Sequence, residues 1–153
     1  MSSVLERFRE RKNKPMELFV GYPLDNPVIE FTVRRMPQAV INNAIIEAEG
    51  SLKKQGIQRP SGDLGEKDPA VVEYNAEYYM WLSFHIVEQG REHFIGWKAL
   101  DGSQLPTFTK ASFQDFVSML LIWERKQLGL AYFQAVAKAD EVAEKKEPTE
   151  TAS

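Results

Sequence analysis

A chain of 153 residues with 43% hydrophobic and 27% charged side chains has the composition of a globular protein and the length of one domain with a real core. A net charge of −3 and a pI of about 5.5 argue against nucleic acid or an anionic membrane surface as a main partner, because both need a concentrated positive face. The chain has no cysteine, which excludes disulfides, thiolate catalysis and cysteine-bound zinc.

Residues 1–14 carry five basic and two acidic side chains. No apolar stretch follows these charges, so a signal peptide is not expected. Val4, Leu5 and Phe8 have the spacing of a short amphipathic turn, but a solvated, mobile basic arm is the expectation. Residues 16–35 read as a β-hairpin. MELFVGYP and PVIEFTVRR are two apolar runs joined by Pro23-Leu24-Asp25-Asn26-Pro27, a turn composition. In the second run Ile29, Phe31 and Val33 alternate with Val28, Glu30 and Thr32, the pattern of a half-buried strand.

A helix is predicted over 37–55, with Pro37 at its first position and Val40, Ile41, Ala44, Ile45 and Ala48 on one side. Gly56 is its expected stop. A long polar loop, QRPSGDLGEKDP, follows. Asp68-Pro69 then starts a helix over 69–89, an N-cap carboxylate before a proline at N1, and Gly90 ends it. Val71, Tyr74, Tyr78, Trp81, Leu82, His85 and Ile86 share one wide face, with Glu73, Glu77 and Glu88 opposite. Such a helix is expected at the buried centre of a small domain. Residues 91–100 fit either a short strand or an irregular link, and Asp101-Gly102-Ser103 is a turn. A last helix is predicted over 110–143, capped by Thr109 or Ser112, with Gly129 as its one candidate kink. Residues 144–153 are polar and expected to be disordered. The longest apolar runs, 78–87 and 116–123, fall short of the roughly 20 residues a membrane-spanning helix needs. The fold class is therefore α+β and mainly α: a small N-terminal hairpin packed on a three- to four-helix domain spanning 15–143, with disordered ends.

Catalytic signatures are absent from the sequence. The aromatic run YYMWLSFHIV offers the material of a stacking platform, but its helical spacing is that of core packing. His85 and His93 are eight residues apart with Gly90 between them. A helix-borne metal pair needs i, i+4 spacing, so polar edge histidines are expected instead. Ser83 and His85 sit in no G-x-S-x-G elbow, and the glycines match no phosphate-binding loop. Glu73 and Glu77 are a carboxylate pair that would do acid–base work only in a cleft, and Arg34 and Arg35 at a strand end could clamp an anion, although strand-end arginines are usually just surface. No enzyme activity, cofactor or metal is expected. What remains is surface. Ile122, Leu130 and Phe133 lie off the two core stripes of the last helix, beside Trp123. These four are the candidate partner-binding residues. The alternative is that the C-terminal helical segments pack on each other and hide them.

The order of elements carries a resemblance. A hairpin leads into a helix from MPQAV, a polar loop, and the central helix EYNAEYYMWLSFHIVEQG. The link WKALDGSQLPTFT then enters FQDFVSMLLIWERKQLGLAYFQAV and a charged tail. Over about residues 17–145 this layout resembles the tail assembly chaperones of long-tailed bacteriophages. Their D-G-x-x-x-F-[ST] link is matched, at longer spacing, by Asp101-Gly102 and Phe108-Thr109. The resemblance implies a non-catalytic protein of the host cytoplasm. It would coat hydrophobic helical segments of the tape measure protein, help recruit tail tube subunits, and self-associate. The other reading is a structural virion component, a head–tail connector or minor tail protein that forms a stable oligomer.

Overall fold

The computed structural model describes residues 3–7 and 16–151. Residues 4–7 form one helical turn, closed by a capping box in which Ser3 Oγ accepts the Glu6 amide and Glu6 Oε2 accepts the Ser3 amide. All of residues 3–7 are exposed. The rest of the expected basic arm, residues 1–2 and 8–14, lies outside the described residues.

Strands β1 (Glu17–Tyr22) and β2 (Ile29–Arg34) pair antiparallel from Glu17↔Arg34 to Tyr22↔Ile29, the expected hairpin. The open question at 91–100 resolves as a 3₁₀ turn, Arg91–His93, followed by strand β3 (Phe94–Ala99). β3 adds to β2, giving a three-stranded antiparallel sheet in the order β1-β2-β3. An irregularity between Thr32 and Val33 skips Ile95, so that Phe94 lies opposite Val33 on the core face. Alternation does the rest: Leu18, Val20, Tyr22, Phe31 and Val33 are buried while Glu17 and Phe19 face solvent. Phe31 is the hub of this face. Its ring centroid lies 5.7 Å from Phe94, 5.9 Å from Phe113, 5.6 Å from Phe116 and 6.3 Å from Trp97.

Helix α1 (Gln38–Lys54) buries Ala44, Ala48 and Leu52. Pro37 takes the N-cap rather than the first helical position. At the other end Gly56 is left-handed, with φ +73°. The Ile57 amide reaches back to the Leu52 carbonyl and the Gly56 amide to Lys53, a Schellman stop. Helix α2 (Pro69–Gln89) begins and ends as the sequence indicates: Asp68 Oδ1 accepts the Ala70 amide at 2.9 Å, and Gly90 is the C-cap. Space at Gly90 is short, because a β-carbon there would lie 2.8 Å from the Ile86 carbonyl oxygen as well as 2.3 Å from Met36 Sδ. α2 packs between α1 and α4. Only its C-terminal half is enclosed, however. Leu82, Ser83, Ile86 and Val87 are buried, whereas Ala70, Val72, Ala76 and Tyr79 are exposed. The expectation of a helix at the buried centre holds for the second half alone, since no described residue covers the outer side of the first two turns.

The C-terminal segment differs most from expectation. It is two helices, α3 (Lys110–Met119) and α4 (Ile122–Thr151), not one over 110–143. Thr109 caps α3 in a reciprocal box with Ser112. The break falls at Leu120, whose φ −78° and ψ 138° are extended. Gly129 neither kinks nor breaks α4. It lies inside the helix at the point where α4 crosses α2, and a β-carbon there would stand 1.8 Å from the Ser83 carbonyl oxygen. The backbone of residues 144–151, expected as part of a disordered tail, continues α4. Glutamate and lysine at 144–147 are good helix formers, and polarity alone does not oppose a helix.

Three contacts fasten α4 to the hairpin region at eight-residue intervals, each interval about 12 Å along the helix. The Tyr22 hydroxyl donates to the Glu124 carbonyl at 3.2 Å. The Met36 amide donates to the buried Tyr132 hydroxyl at 2.8 Å. Arg35 pairs with both oxygens of Asp140, at 2.6 and 3.1 Å, which holds the carboxyl below the usual range. Arg35, an anion-clamp candidate in the sequence, is therefore engaged within the fold.

His85 is a polar edge histidine between helices. Its Nε2 lies 2.7 Å from the Ser51 hydroxyl of α1, which spans the α1–α2 seam. Burial lowers its pKa below 6.5, and it outweighs the opposite pull of Glu47 and Glu88, with Lys54 acting in the same sense as burial. The unfolded chain therefore binds a proton that the folded chain resists. Stability from this group is complete above about pH 6.5 and is lost as pH falls through the lower folded value. Urea midpoints measured at steps from pH 7.5 to about 5 should fall with pH. The slope should flatten in His85→Gln, which keeps a hydrogen-bonding side chain but does not titrate. An unchanged slope in the variant would assign the effect elsewhere.

Candidate functional site

Packing on two sides produces the break between α3 and α4. α3 is held against the sheet by Phe113 and Val117, both buried, with Phe116 and Leu120 packed beside them. α4 is held on α2 and β1 by Leu128, Gly129, Ala131 and Tyr132. One straight helix cannot satisfy both, so the chain turns at Leu120 and starts again. Glu124 completes the restart: its Oε1 accepts the Leu121 amide at 2.9 Å, and its backbone carbonyl receives the Tyr22 hydroxyl. Burial, and then the Glu124 charge, push the Tyr22 hydroxyl up to about 12, so it remains a donor.

The turn leaves apolar side chains in water. Met119 is 74% exposed, Leu121 60%, Ile122 55% and Trp123 61%. Of five successive apolar residues only Leu120 packs against the core. Single exposed apolar side chains are ordinary, but four large ones within five positions make a patch of the kind that marks an interaction site. The basic side chains that follow it are engaged within the fold. Arg125 and Arg91 both pair with Glu88, at 3.3 and 2.5 Å, and Arg91 also bonds Gln114. Lys126 lies over the Trp81 ring at 4.0 Å.

The four candidate residues therefore separate. Ile122 and Trp123 stand in the exposed corner. Leu130, seven residues beyond Trp123, lies on the same side of α4 and is half-buried. Phe133 is drawn toward α2: its ring lies 5.6 Å from Tyr79 and it packs against the core. Substituting Phe133 disturbs packing as well as surface, so Ile122 and Trp123 are the positions that probe binding. Sequence periodicity missed Met119 and Leu121, because a continuous helix assigns Leu121 to the inner face. The run Met119-Leu120-Leu121-Ile122-Trp123 was itself the signal, since five consecutive apolar residues cannot all face one side of a helix.

The other chemical candidates are placed as follows. Ser83 is buried, and its hydroxyl donates to the Tyr79 carbonyl one turn back. His93 Nε2 lies 3.6 Å from Glu92. Among the described residues no group of three or more histidine, aspartate or glutamate side chains is arranged to hold a metal, and no helix is long and apolar enough to cross a membrane. Glu73 and Glu77 line an open cleft of about 510 Å³ with Arg59, Leu64 and Tyr74, between the 57–67 loop and α2. Comparison with protein-family models, with curated proteins and with solved structures finds no match to the chain.

Proposed function

We propose that this protein is a non-catalytic assembly chaperone of the kind that serves long-tailed bacteriophages. Its apolar corner, Met119 and Leu121–Trp123, takes up hydrophobic helical segments of the tape measure protein in the host cytoplasm and keeps them soluble while tail tube subunits gather. The observation that carries the reading is the concentration of exposed apolar side chains at a corner anchored to the sheet by Tyr22 and Glu124. An exposed apolar surface with an aromatic anchor suits an apolar helix face laid across it. The order of elements described above supports the same reading.

The test is co-purification from cells producing the particles, with the wild-type chain and Trp123→Asp as parallel baits. A very long, helix-rich protein with apolar stretches should accompany the wild type and drop at least about tenfold with the variant, the loss expected at a hot-spot aromatic. Circular dichroism of the variant should be unchanged, because Trp123 is mostly solvent-facing. Recovery of the wild type only within finished particles would overturn the reading in favour of a structural component.

A further inference from the structure

The sequence through the corner, Ser118-Met119-Leu120-Leu121-Ile122-Trp123-Glu124, contains no glycine and no proline. No helix breaker ends α3 there, and the local contact is the Glu124 carboxylate on the Leu121 amide, which caps the restart. The break is only two residues long and is enforced by packing at a distance on either side of it. The holds on α4 (the Tyr22 hydroxyl on the Glu124 carbonyl, Gly129 against Ser83, the Tyr132 hydroxyl on Met36, Arg35 on Asp140) engage β1, α2 or the segment flanking β2. None of these holds needs α3 and α4 to belong to the same copy.

We infer that α4 exchanges between two copies of this chain: the corner straightens, residues 110–151 become one helix, and each α4 docks on the α2 and β1 of its partner. The exchanged contacts are those already made within one copy, so their strength is carried over. The difference lies at the corner. Straightening restores the helical hydrogen bonds that the break forgoes. It also brings two corner helices past each other at the two-fold axis, where Met119, Leu121, Ile122 and Trp123 of one copy meet those of the other. Their present exposure, 55–74%, is thereby reduced on a surface continuous with the α4 interface. The occupant of the corner in this form is a second copy, so it competes with any apolar partner segment. The inference itself does not depend on the proposed function.

The full chain contains no cysteine, so a bridged pair can be placed uniquely. Tyr79→Cys with Phe133→Cys puts one thiol on α2 and one on α4, at rings now 5.6 Å apart. The protein is refolded at low and high concentration, sized by light scattering, and treated with a short bismaleimide. A dimer that grows with concentration is expected, and in the dimer fraction the bridge should join two chains on a denaturing gel. Ile122→Pro places proline at the first position of α4, which the broken form tolerates and a straight helix does not. It should weaken dimerisation at least about tenfold. Ile122→Ala, which trims the side chain but keeps a good helix former, should still exchange. A monomer at every concentration, a dimer bridged only within chains, or a proline variant that dimerises like the wild type would each overturn the inference.

Discussion

Replacing Gly129 with alanine should destabilise the protein by about 3 kcal/mol, at the upper end of ordinary overpacking. Read from sequence alone, the substitution has the opposite sign. Glycine inside a helix is worse than alanine by about 1 kcal/mol, so Gly129→Ala would be a stabilising change. The reversal comes from one distance. The added methyl would lie 1.8 Å from the Ser83 carbonyl oxygen and 2.8 Å from Ser83 Cα, so backbone and not a flexible side chain stands in its way. α4 must move off α2 to admit it, which loosens the seam that also carries Leu128, Ala131 and Tyr132. Gly50→Ala in α1 is the control. It has open space and an ordinary backbone, and should gain roughly 0.5–1 kcal/mol. Urea unfolding of the two variants beside the wild type reads both signs at once. A stabilised Gly129→Ala would mean that the helices do not cross at this point.

Phe31→Ala should cost about 3–5 kcal/mol, a large share of the stability of a domain this size. Phe31 is fully buried, and it meets rings from both β3 (Phe94, Trp97) and α3 (Phe113, Phe116). Its removal opens a cavity bounded by rigid aromatic walls that cannot collapse into it, and it forfeits the edge-to-face contacts with Phe94 and Phe113. The melting temperature should fall by roughly 6–20 °C at the 2–4 °C per kcal/mol typical of this chain length. Phe31→Leu fills most of the space and should lose much less. A loss below about 1 kcal/mol for the alanine variant would place the core of the sheet elsewhere.

The legible parts of the sequence were those where local chemistry and tertiary packing agree. Two apolar runs around a proline and Asx turn, with alternation at Ile29–Val33, gave the hairpin, Asp68-Pro69 and Gly90 gave both ends of α2, and Gly56 gave the stop of α1. β3 was half-legible, because REHFIGWKAL has strand formers without clean alternation and its register depends on an irregularity opposite Thr32 and Val33. The corner was not legible. Residues 118–124 are locally helical, and the break exists because Phe113 and Tyr132 are buried on different elements some 19 positions apart. The role of Gly129 was hidden for the same reason: a contact distance to Ser83, 46 positions away, leaves no mark on the periodicity of either helix. The candidate residues followed suit. Ile122 and Trp123 were found from excess hydrophobicity, Leu121 was missed because a continuous helix places it on the inner face, Met119 was not singled out from the apolar run, and Phe133 was drawn toward α2 by a ring on another element.

The measurement that bears most directly on function is calorimetric titration of the wild-type chain, and of Trp123→Asp, with an apolar helix-forming segment of a tape measure protein. Saturable binding by the wild type is expected, with a negative heat-capacity change from buried apolar surface, together with a Kd at least about tenfold weaker in the variant. No binding by the wild type, or equal binding by both proteins, would contradict the assignment of the apolar corner as the chaperone surface.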